Sequence, residues 1–527
     1  MATAKKTATK KKAAAKKAAG PAVGERLMPP KEGATVRMYR TGHGDCFLLA
    51  FAGDSPAKPV YVLIDCGYKP GSPAFIKTDI KDIGKSIHDA TGGHIDVAVI
   101  THEHQDHVNG ITETNFAGIT IGQTWLGWTD DPDDDLAKAL RKEFKDKLLG
   151  LLGARNQLAA AGNAAEQVKR IEDALAFELG GADEKFDVAG AAKMLGAAAG
   201  APGGSMNKKS MQIFKDRAEK GVKYLRPHEK VIPLPGAKAV RVFALGPPRN
   251  EELIRNLDPE GGEEFHLAGS SGGFFAAAAA SAGGVTSQKP APPFDGKFCL
   301  EWDKALTDVE FGGFFASRYG HDDRLKEATD ENPAWRRIDK DWLMSADQLA
   351  LAAGNYTNNS SLVLAFELGK GGKVLLFAAD AQRGNWISWS MKDWKDGTQK
   401  ITAKDLLART VLYKVGHHGS HNATLNGKAT DVYANLNWMA EGDHAQEFTA
   451  MITAVRKWAI QPSVAWDHPK KAIKDALLKK ASGRVFQTDT DVDKMEKAAG
   501  GSQKDWTAFE SRTTGKPLYF DYEIKTE

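Results

Sequence analysis

Four side chains that commonly bind metal ions fall within six consecutive residues, namely His102, His104, Asp106 and His107. Neutral imidazole and carboxylate groups suit zinc, manganese or iron. A tight loop can direct His102 and His104 toward one ion, and Asp106 and His107 toward a second. Three of the 14 histidines in the 527-residue chain lie in this stretch, which is far denser than the chain average. The spacing therefore predicts a site for two divalent ions, zinc or manganese.

Short apolar strands, each followed closely by a polar side chain, are the elements that must position these ligands. The clearest is the β-branched run 95–100, which leads into His102. Ligands at the ends of adjacent strands converge on one edge of a sheet sandwich, where the backbone is rigid. Four predicted strands end in this way, at Asp65, His102, Asp380 and His417.

The segment Gly416-His-His-Gly-Ser420 supplies two further candidates. His417 is preferred as a metal ligand because it closely follows a buried strand, and His418 is the alternative. The histidine that is not a ligand, together with nearby His421, could donate a proton to a leaving group. His468, farther along the chain, is either the final ligand or a substrate contact.

Two long stretches interrupt the pattern of strands. Apolar residues recur every four positions from Leu136 to Leu148, as on one face of a helix. We therefore expect residues 128–222 to form a helical insertion, and the Gly-rich residues 250–345 to form an irregular insertion. The rest of residues 31–527 is predicted to form one domain around the metal site, after a disordered tail at 1–30.

The tail is strongly basic. Because like charges repel, it should be disordered when alone. It could bind nucleic-acid phosphates through counterion release, or serve only as a solubilising tail without a specific partner. The net charge of the chain is only +3, so the body that follows the tail is acidic. The first 20 residues contain no acid and seven lysines: Lys5, Lys6, Lys10, Lys11, Lys12, Lys16 and Lys17.

Composition excludes several classes of protein. Apolar residues make up 42% of the chain, which allows a substantial core, but no run of about 18 apolar residues could cross a membrane. The three cysteines, Cys46, Cys66 and Cys299, argue against a disulfide framework and suit a reducing compartment. We expect a soluble, cytoplasmic protein whose Cys46 and Cys66 are small buried side chains.

The motif at residues 102–107 resembles the main signature of the metallo-β-lactamase superfamily, His-x-His-x-Asp-His. The resemblance covers most of residues 35–490, the two insertions excepted. It implies an α/β fold, the αββα sandwich of that superfamily, and a hydrolase activity. It also implies that Asp65 orients the metal loop and that Asp380 bridges the two metals.

Within the superfamily, the chain is most similar to the hydrolase domain of the ComEC competence protein. The superfamily usually carries Gly-Asp where this chain has Ala379-Asp380, a mild change that keeps the carboxylate. Five motifs carry this resemblance: Gly42-His-Gly-Asp45, Asn358–Leu364, His417–Ser420, His468-Pro469 and Val485–Asp489. The first of these implies an orienting role for Asp45.

One departure from the superfamily bears on the occupancy of one metal position. No histidine lies between residues 321 and 417, where the superfamily usually has a third-strand ligand, and the ComEC-like group shares this substitution. Asn358 or Asn359 is then a weak ligand or an orienting group, and we assign the orienting role to Asn359.

The expected reaction is hydrolysis by a hydroxide that the two ions share, with Asp106 positioning it. Phosphodiester cleavage in DNA or RNA is the first hypothesis, because of the ComEC-like resemblance and the basic tail. The acidic body argues against it to some extent. The second hypothesis is a small ester, lactone or thioester substrate. The third is a regulatory subunit with a degenerate site, in which the helical insertion docks a protein partner; the intact metal motif argues against it.

Overall fold

Two mixed β-sheets carry most of the strands in the computed structural model. The structure describes residues 26–55, 58–73, 80–161, 165–180, 186–196, 204–256, 258–260, 263, 302–319, 354, 356–461, 464, 466–495 and 502–526. The strands are β1 Gly33–Tyr39, β2 Phe47–Phe51, β3 Val60–Ile64, β4 His94–Val99, β5 Thr120–Gly127, β6 Val222–Leu225, β7 Ile232–Leu234, β8 Ala237–Gly246, β9 Val363–Leu368, β10 Val374–Phe377, β11 Trp394–Asp396, β12 Gln399–Ile401, β13 Thr410–Lys414, β14 Thr449–Ile452, β15 Val485–Gln487, β16 Thr513–Gly515 and β17 Tyr519–Lys525.

Helices connect these strands. The α-helices of the described residues are α1 Ile80–Thr91, α2 Gln105–Val108, α3 Asp135–Ala161, α4 Ala165–Leu179, α5 Val188–Met194, α6 Met206–Arg217, α7 Glu251–Arg255, α8 Trp302–Thr307, α9 Gly312–Tyr319, α10 Arg383–Ser388, α11 Ala403–Ala408, α12 Arg456–Ala459, α13 Lys471–Lys480 and α14 Gln503–Ser511. None of the helices in the described part of the chain is both long and apolar enough to cross a membrane.

The first sheet has the strand order β16-β17-β1-β2-β3-β4-β5-β6, and the second has the order β15-β14-β13-β10-β9-β8-β7. Strands β3 to β6 are parallel neighbours, as are β10, β13, β14 and β15, while the other pairs in the two sheets are antiparallel. One apolar core lies between the sheets, with Val62 and Val97 from the first and Phe366 and Leu375 from the second. The predicted α/β class is confirmed at this level.

Helices pack on the opposite face of each sheet. Ile87 of α1 and Phe214 of α6 join the apolar layer on the first sheet, and Leu407 of α11 and Leu477 of α13 join the layer on the second. Parallel strands buried on both faces need such cover, because both sets of their side chains are apolar. Each sheet therefore has one face on the shared core and the other under helices.

The helical insertion connects the parallel neighbours β5 and β6. Its helices α3 to α5 share a separate apolar core with Trp128, Ile254 and Tyr356. Helix α6, also within residues 128–222, packs on the first sheet instead. The last part of this segment is thus a layer of the sheet structure and not an appendage.

Most of the predicted tail, residues 1–25 with their lysines, lies outside the described residues, as does most of the predicted irregular insertion. The prediction of disorder up to residue 30 is wrong at its end. Leu27 is buried, and its N–H donates to the carbonyl of Ala90 at the end of α1. Cys46 and Cys66 are buried without a disulfide, as expected, and Cys299 lies outside the described residues.

Candidate metal centre

The candidate ligands meet at the carboxyl ends of parallel strands. Asp65 follows β3 directly, the loop with His102 follows β4, Asp380 follows β10, and His418 follows β13. The β3–β4 and β10–β13 pairs are parallel neighbours in the two sheets. A backbone hydrogen bond from Leu362 N to the carbonyl of Thr101 (3.0 Å) joins the metal loop of the first sheet to the start of β9 in the second.

The backbone is strained where these loops turn. Asp65, Ala379, His417 and His418 all have positive φ angles, of 55°, 48°, 41° and 53°. L-residues rarely adopt this left-handed region, and each such residue costs about 1–3 kcal/mol. Glycine would avoid that cost at position 379. The strain falls on the residues that carry or precede candidate ligands.

Close backbone contact holds the metal loop in place. Cys66 N donates to the carbonyl of His107 (2.9 Å), and Asp45 N donates to the carbonyl of Asp106 (3.0 Å). A Cβ atom on Gly67 would lie 2.4 Å from the carbonyl carbon of Asp106, so only glycine fits there. These contacts fix the direction of both side chains from the loop.

Four buried side chains bring their ligand atoms within 4.8 Å of one another: Asp106, His107, Asp380 and His418. We call these residues the aspartate group. Oδ2 of Asp380 lies 3.2 Å from His107 Nε2 and 3.5 Å from His418 Nε2. His418 Nε2 lies 3.0 Å from Asp106 Oδ2. The four predicted residues thus converge on one point.

These separations fit a shared metal ion. Two ligands at about 2.0–2.1 Å from one tetrahedral ion lie about 3.3 Å apart, close to the spacings in the aspartate group. Asp106 Oδ1 and His107 Nε2 are also buried without a hydrogen-bond partner among the described residues. Buried polar atoms without partners are rare, and a metal ion would satisfy both.

A second pair lies beside the aspartate group. His102 Nε2 is 3.1 Å from His104 Nδ1 and 4.0 Å from Asp380 Oδ2. We call His102 and His104 the histidine pair. Among the described residues, its candidate ligand atoms are two imidazole nitrogens and the shared Asp380, which is fewer than in the aspartate group.

His102, His107 and His418 each place Nδ1 within hydrogen-bond distance of an oxygen atom. Nδ1 of His102 contacts two hydroxyls, that of Thr101, which donates to Asp65 and is thus an acceptor for His102, and that of Ser361 (3.2 Å). A neutral imidazole that donates from Nδ1 has its lone pair on Nε2, which here faces Asp380. The Nδ1 partners are Asp65 Oδ2 for His107 (2.8 Å), the Thr453 carbonyl for His418 (3.0 Å), and Thr101 Oγ1 for His102 (3.1 Å).

Asp45 and Asp65 lie behind the ligands. Both oxygens of Asp65 are already engaged, by Thr101 N (2.8 Å) and by the Thr101 hydroxyl and His107 Nδ1. Asp45 accepts from the Thr453 hydroxyl (2.6 Å) and forms an ion pair with buried Lys414. Although Asp45, Asp65 and His107 also lie close enough to hold an ion, these hydrogen bonds give the two aspartates an orienting role.

Charge holds the aspartate group together. Burial alone would raise the pKa of Asp380, but nearby His107, His418 and Lys414 hold it well below its ordinary value. Burial would likewise lower the pKa of His107 and His418, yet Asp380 is the main group that raises both. Lys414 Nζ lies 3.4 Å from Asp380 Oδ1 and leaves Oδ2 for the imidazoles.

The structure places His418, and not the preferred His417, in the aspartate group. His418 is buried within the aspartate group, whereas His417 has 16% of its side chain exposed and its Nε2 lies 4.0 Å from Asp380 Oδ2. His417 instead contacts the Asn358 amide nitrogen (3.1 Å). Burial and neighbouring His418 lower the pKa of His417 to about 4, although Asp380 opposes the shift.

Three other predicted residues lie outside the aspartate group. Asn359 donates to the carbonyls of residues 253, 254 and 256 and accepts from the N–H groups of residues 382 and 385, so it orients backbone. His421 is 47% exposed and lies 3.5 Å from Asp258. His468 is half-buried, and its Nδ1 is 3.3 Å from His43 Nε2.

Sequence reasoning missed three residues of the centre. His43 is fully buried, with its ring 4.4 Å from that of His418. Lys414 is a charged residue at the end of an otherwise apolar strand, which is a signal that could have identified it. Glu178 contacts His104 from the helical insertion, and no local pattern marks it.

A scan against protein-family models finds no match for this chain, and a search of curated proteins finds no significant match. Any functional assignment therefore depends on the residues and the geometry given above.

Proposed function

We propose that this protein is a metal-dependent hydrolase that cleaves phosphodiester bonds. The observation that carries the proposal is the convergence of the aspartate group and His102 on Oδ2 of Asp380, with His104 beside His102. Divalent ions bound there would lower the pKa of a water molecule and offset negative charge on a phosphoryl or carbonyl oxygen. Zinc and manganese both suit these nitrogen and oxygen ligands.

The chain's own residues would hold and shield this chemistry. Asp106, His107, His418 and the shared Asp380 would bind one ion, and His102 and His104 with Asp380 would bind the other. The half-buried ring of His417 lies beside Asp380 and is placed to contact a substrate. Thr453 and Asp65 keep the imidazoles directed at the site.

We also propose the metallo-β-lactamase fold and a ComEC-like affiliation. Two mixed sheets with a shared core, helices on both outer faces, and ligands at one strand-end edge support the fold assignment. The contacts of the Gly42–Asp45 turn support the affiliation, because they give that motif a task beside the metal loop: Asp45 N donates to the carbonyl of Asp106.

Aromatic side chains near the centre favour a substrate with flat rings, such as a nucleotide. The ring of Trp466 lies 5.6 Å from that of His468 and 6.4 Å from that of Phe177, and all three are half-buried. Nucleobases stack on such rings with little dependence on sequence. The basic tail would add affinity for a phosphate backbone.

One observation favours the small-ester alternative. His104 is fully buried beneath Phe177 and Glu178 of the helical insertion, and His102 is 2% exposed. An enclosed histidine pair admits a small lactone or thioester more easily than a polymer.

The test is an assay of the full chain, stripped of metal and reloaded with manganese or zinc. Substrates are single-stranded DNA, RNA and a chromogenic phosphodiester, and an aryl ester, a lactone and a thioester serve as comparisons. We expect metal-dependent cleavage of the phosphodiesters that is lost in Asp380→Asn. Turnover of the lactone or thioester without any phosphodiester cleavage would replace the proposal with the small-ester function.

A further inference from the structure

One carboxylate reaches the metal centre from outside both sheets. Glu178 lies near the C-terminal end of α4 in the helical insertion, yet it is 3% exposed. Its Oε1 lies 2.9 Å from Nε2 of His104, 74 residues earlier in the chain. A buried carboxylate at this distance accepts a strong hydrogen bond from an imidazole N–H.

This hydrogen bond decides which nitrogen of His104 faces the metal. A neutral imidazole has one N–H, so donation from Nε2 to Glu178 leaves the lone pair on Nδ1. Nδ1 lies 3.1 Å from His102 Nε2. Nδ1 of His102 contacts the hydroxyls of Thr101 and Ser361, and since the Thr101 hydroxyl donates to Asp65, donation from His102 Nδ1 to Thr101 would leave the lone pair of His102 on Nε2. Two lone pairs at this spacing match two ligands of one ion.

The surrounding residues hold Glu178 in this position. The amide of Asn207, at the start of α6, donates to the carbonyl oxygens of Phe177 (3.0 Å) and Glu178 (3.1 Å). The ring of Phe177 packs against the ring of His104, with centroids 4.5 Å apart. The hydroxyl of Thr357 approaches the second carboxylate oxygen of Glu178 at 3.4 Å. The end of α4 is therefore fixed on two sides.

We propose that Glu178 is a positioning residue that selects Nδ1 of His104 as a metal ligand, and that the helical insertion is thereby part of the metal centre. The inference rests on the proposed function only in that a metal must bind at the histidine pair. If Glu178 has this role, metal binding at the histidine pair depends on the packing of α4. The aspartate group has no contact with Glu178 of this kind, so its metal should be independent of the insertion.

The test compares Glu178→Met with Glu178→Gln in the full chain. Methionine keeps the length of the side chain but has no comparable acceptor, whereas glutamine keeps an acceptor and loses the charge. Zinc affinity is measured by calorimetry on metal-free protein. We expect methionine to weaken one of two binding events by about 10–100-fold, the usual effect of removing a partner behind a metal ligand. Glutamine should restore part of that loss, and the other event should stay within about twofold.

The control is Glu166→Gln, on the same helix but with 74% of its side chain exposed. Circular dichroism of each metal-free variant checks the fold. Equal affinities for the methionine and glutamine variants, or two events unchanged in both, would overturn the positioning role. Because the readout is metal binding, it is separate from hydrolysis: metal that binds as expected without any substrate turnover would contradict the proposed function alone.

Discussion

The two halves of the candidate metal centre are built in different ways. Every member of the aspartate group lies shortly after a strand of one of the two sheets, with Asp106 and His107 on the short helix α2. The residues that hold His107 and His418, namely Asp65 and Thr453, also follow strands of these sheets. The histidine pair follows β4 as well, but His104 depends on Glu178 from the helical insertion. One half is thus fixed by the core of the sandwich and the other by the docking of helices.

This difference teaches where selectivity can be adjusted. The aspartate group has four converging candidate ligands, all of them positioned by strands of the two sheets. The histidine pair has two imidazoles. Glu178, which contacts His104, lies on the helical insertion, whose helices α3 to α5 pack in an apolar core of their own. We therefore expect the two metal positions to differ in affinity, with the aspartate group the tighter.

The largest effect should follow from the residue that both halves share. Asp380→Asn keeps the size of the side chain but removes the charge, and amide oxygen is a weaker ligand than carboxylate. Bound metal should fall from two equivalents to nearly none, and hydrolysis by at least about 100-fold. Elemental analysis after dialysis measures the bound metal. Asp475→Asn, a surface change at an exposed ion pair, is the control. Two retained equivalents would break the comparison, since Asp380 would then join neither half.

Changes confined to one half should remove one equivalent each. His102→Ala with His104→Ala should leave the aspartate group loaded, because none of its hydrogen bonds uses these residues. Asp106→Asn with His418→Ala should leave the weaker position only. Metal content and calorimetric titration of both double variants measure the outcome. Loss of both equivalents from either variant would show that the halves act as one unit.

The stability of the fold should depend on pH differently in metal-free and in metal-loaded protein. His107 and His418 have raised pKa values in the folded chain, so their stabilisation is present below pH 6.5 and is lost as pH rises through the raised values. His102, His43 and His468 have lowered values, so they stabilise above pH 6.5 and cost stability as pH falls below it.

Metal-free protein should therefore be most stable near pH 6.5, with a melting temperature that falls by a few degrees toward pH 9. Zinc needs the neutral imidazoles, so it should abolish the fall on the alkaline side. Calorimetric melting curves with and without zinc from pH 5 to 9 check both statements. An alkaline decline of equal size in both forms would place its cause outside the aspartate group.

The parts of the centre that local sequence determines could be predicted, and the rest depended on long-range packing. The strands that lead to His102 and Asp380 are short apolar runs, and their ends position the ligands directly. Strand β17 pairs with β1 from the other end of the chain, and nothing local indicates its partner. Glu178 was missed for the same physical reason, because helix packing alone brings it to His104.

Adjacent residues set another limit. His417 and His418 both follow a buried strand, and both have positive φ angles. Which of them turns inward depends on Thr453, whose carbonyl accepts from His418. Thr453 follows β14, a strand that the sequence pattern did not reveal. The choice between the two histidines therefore required the second sheet.

The smallest effect on the metal centre should come from the N-terminal tail, which supplies no ligand to either half. Deleting residues 1–20 removes seven lysines, so binding to single-stranded DNA should weaken and its dependence on salt should flatten, by a slope of up to about 0.7 for each lost phosphate contact. Metal content and turnover of a small phosphodiester should stay unchanged.

Fluorescence anisotropy between 50 and 200 mM salt measures DNA binding. A full-length variant with the seven lysines replaced by glutamine separates the effect of the charge from that of the length of the tail. If the glutamine variant bound DNA as the natural chain does, at every salt concentration, the tail would have no part in substrate choice. The aromatic rings near His468 would then be the principal recognition surface left to the phosphodiesterase proposal.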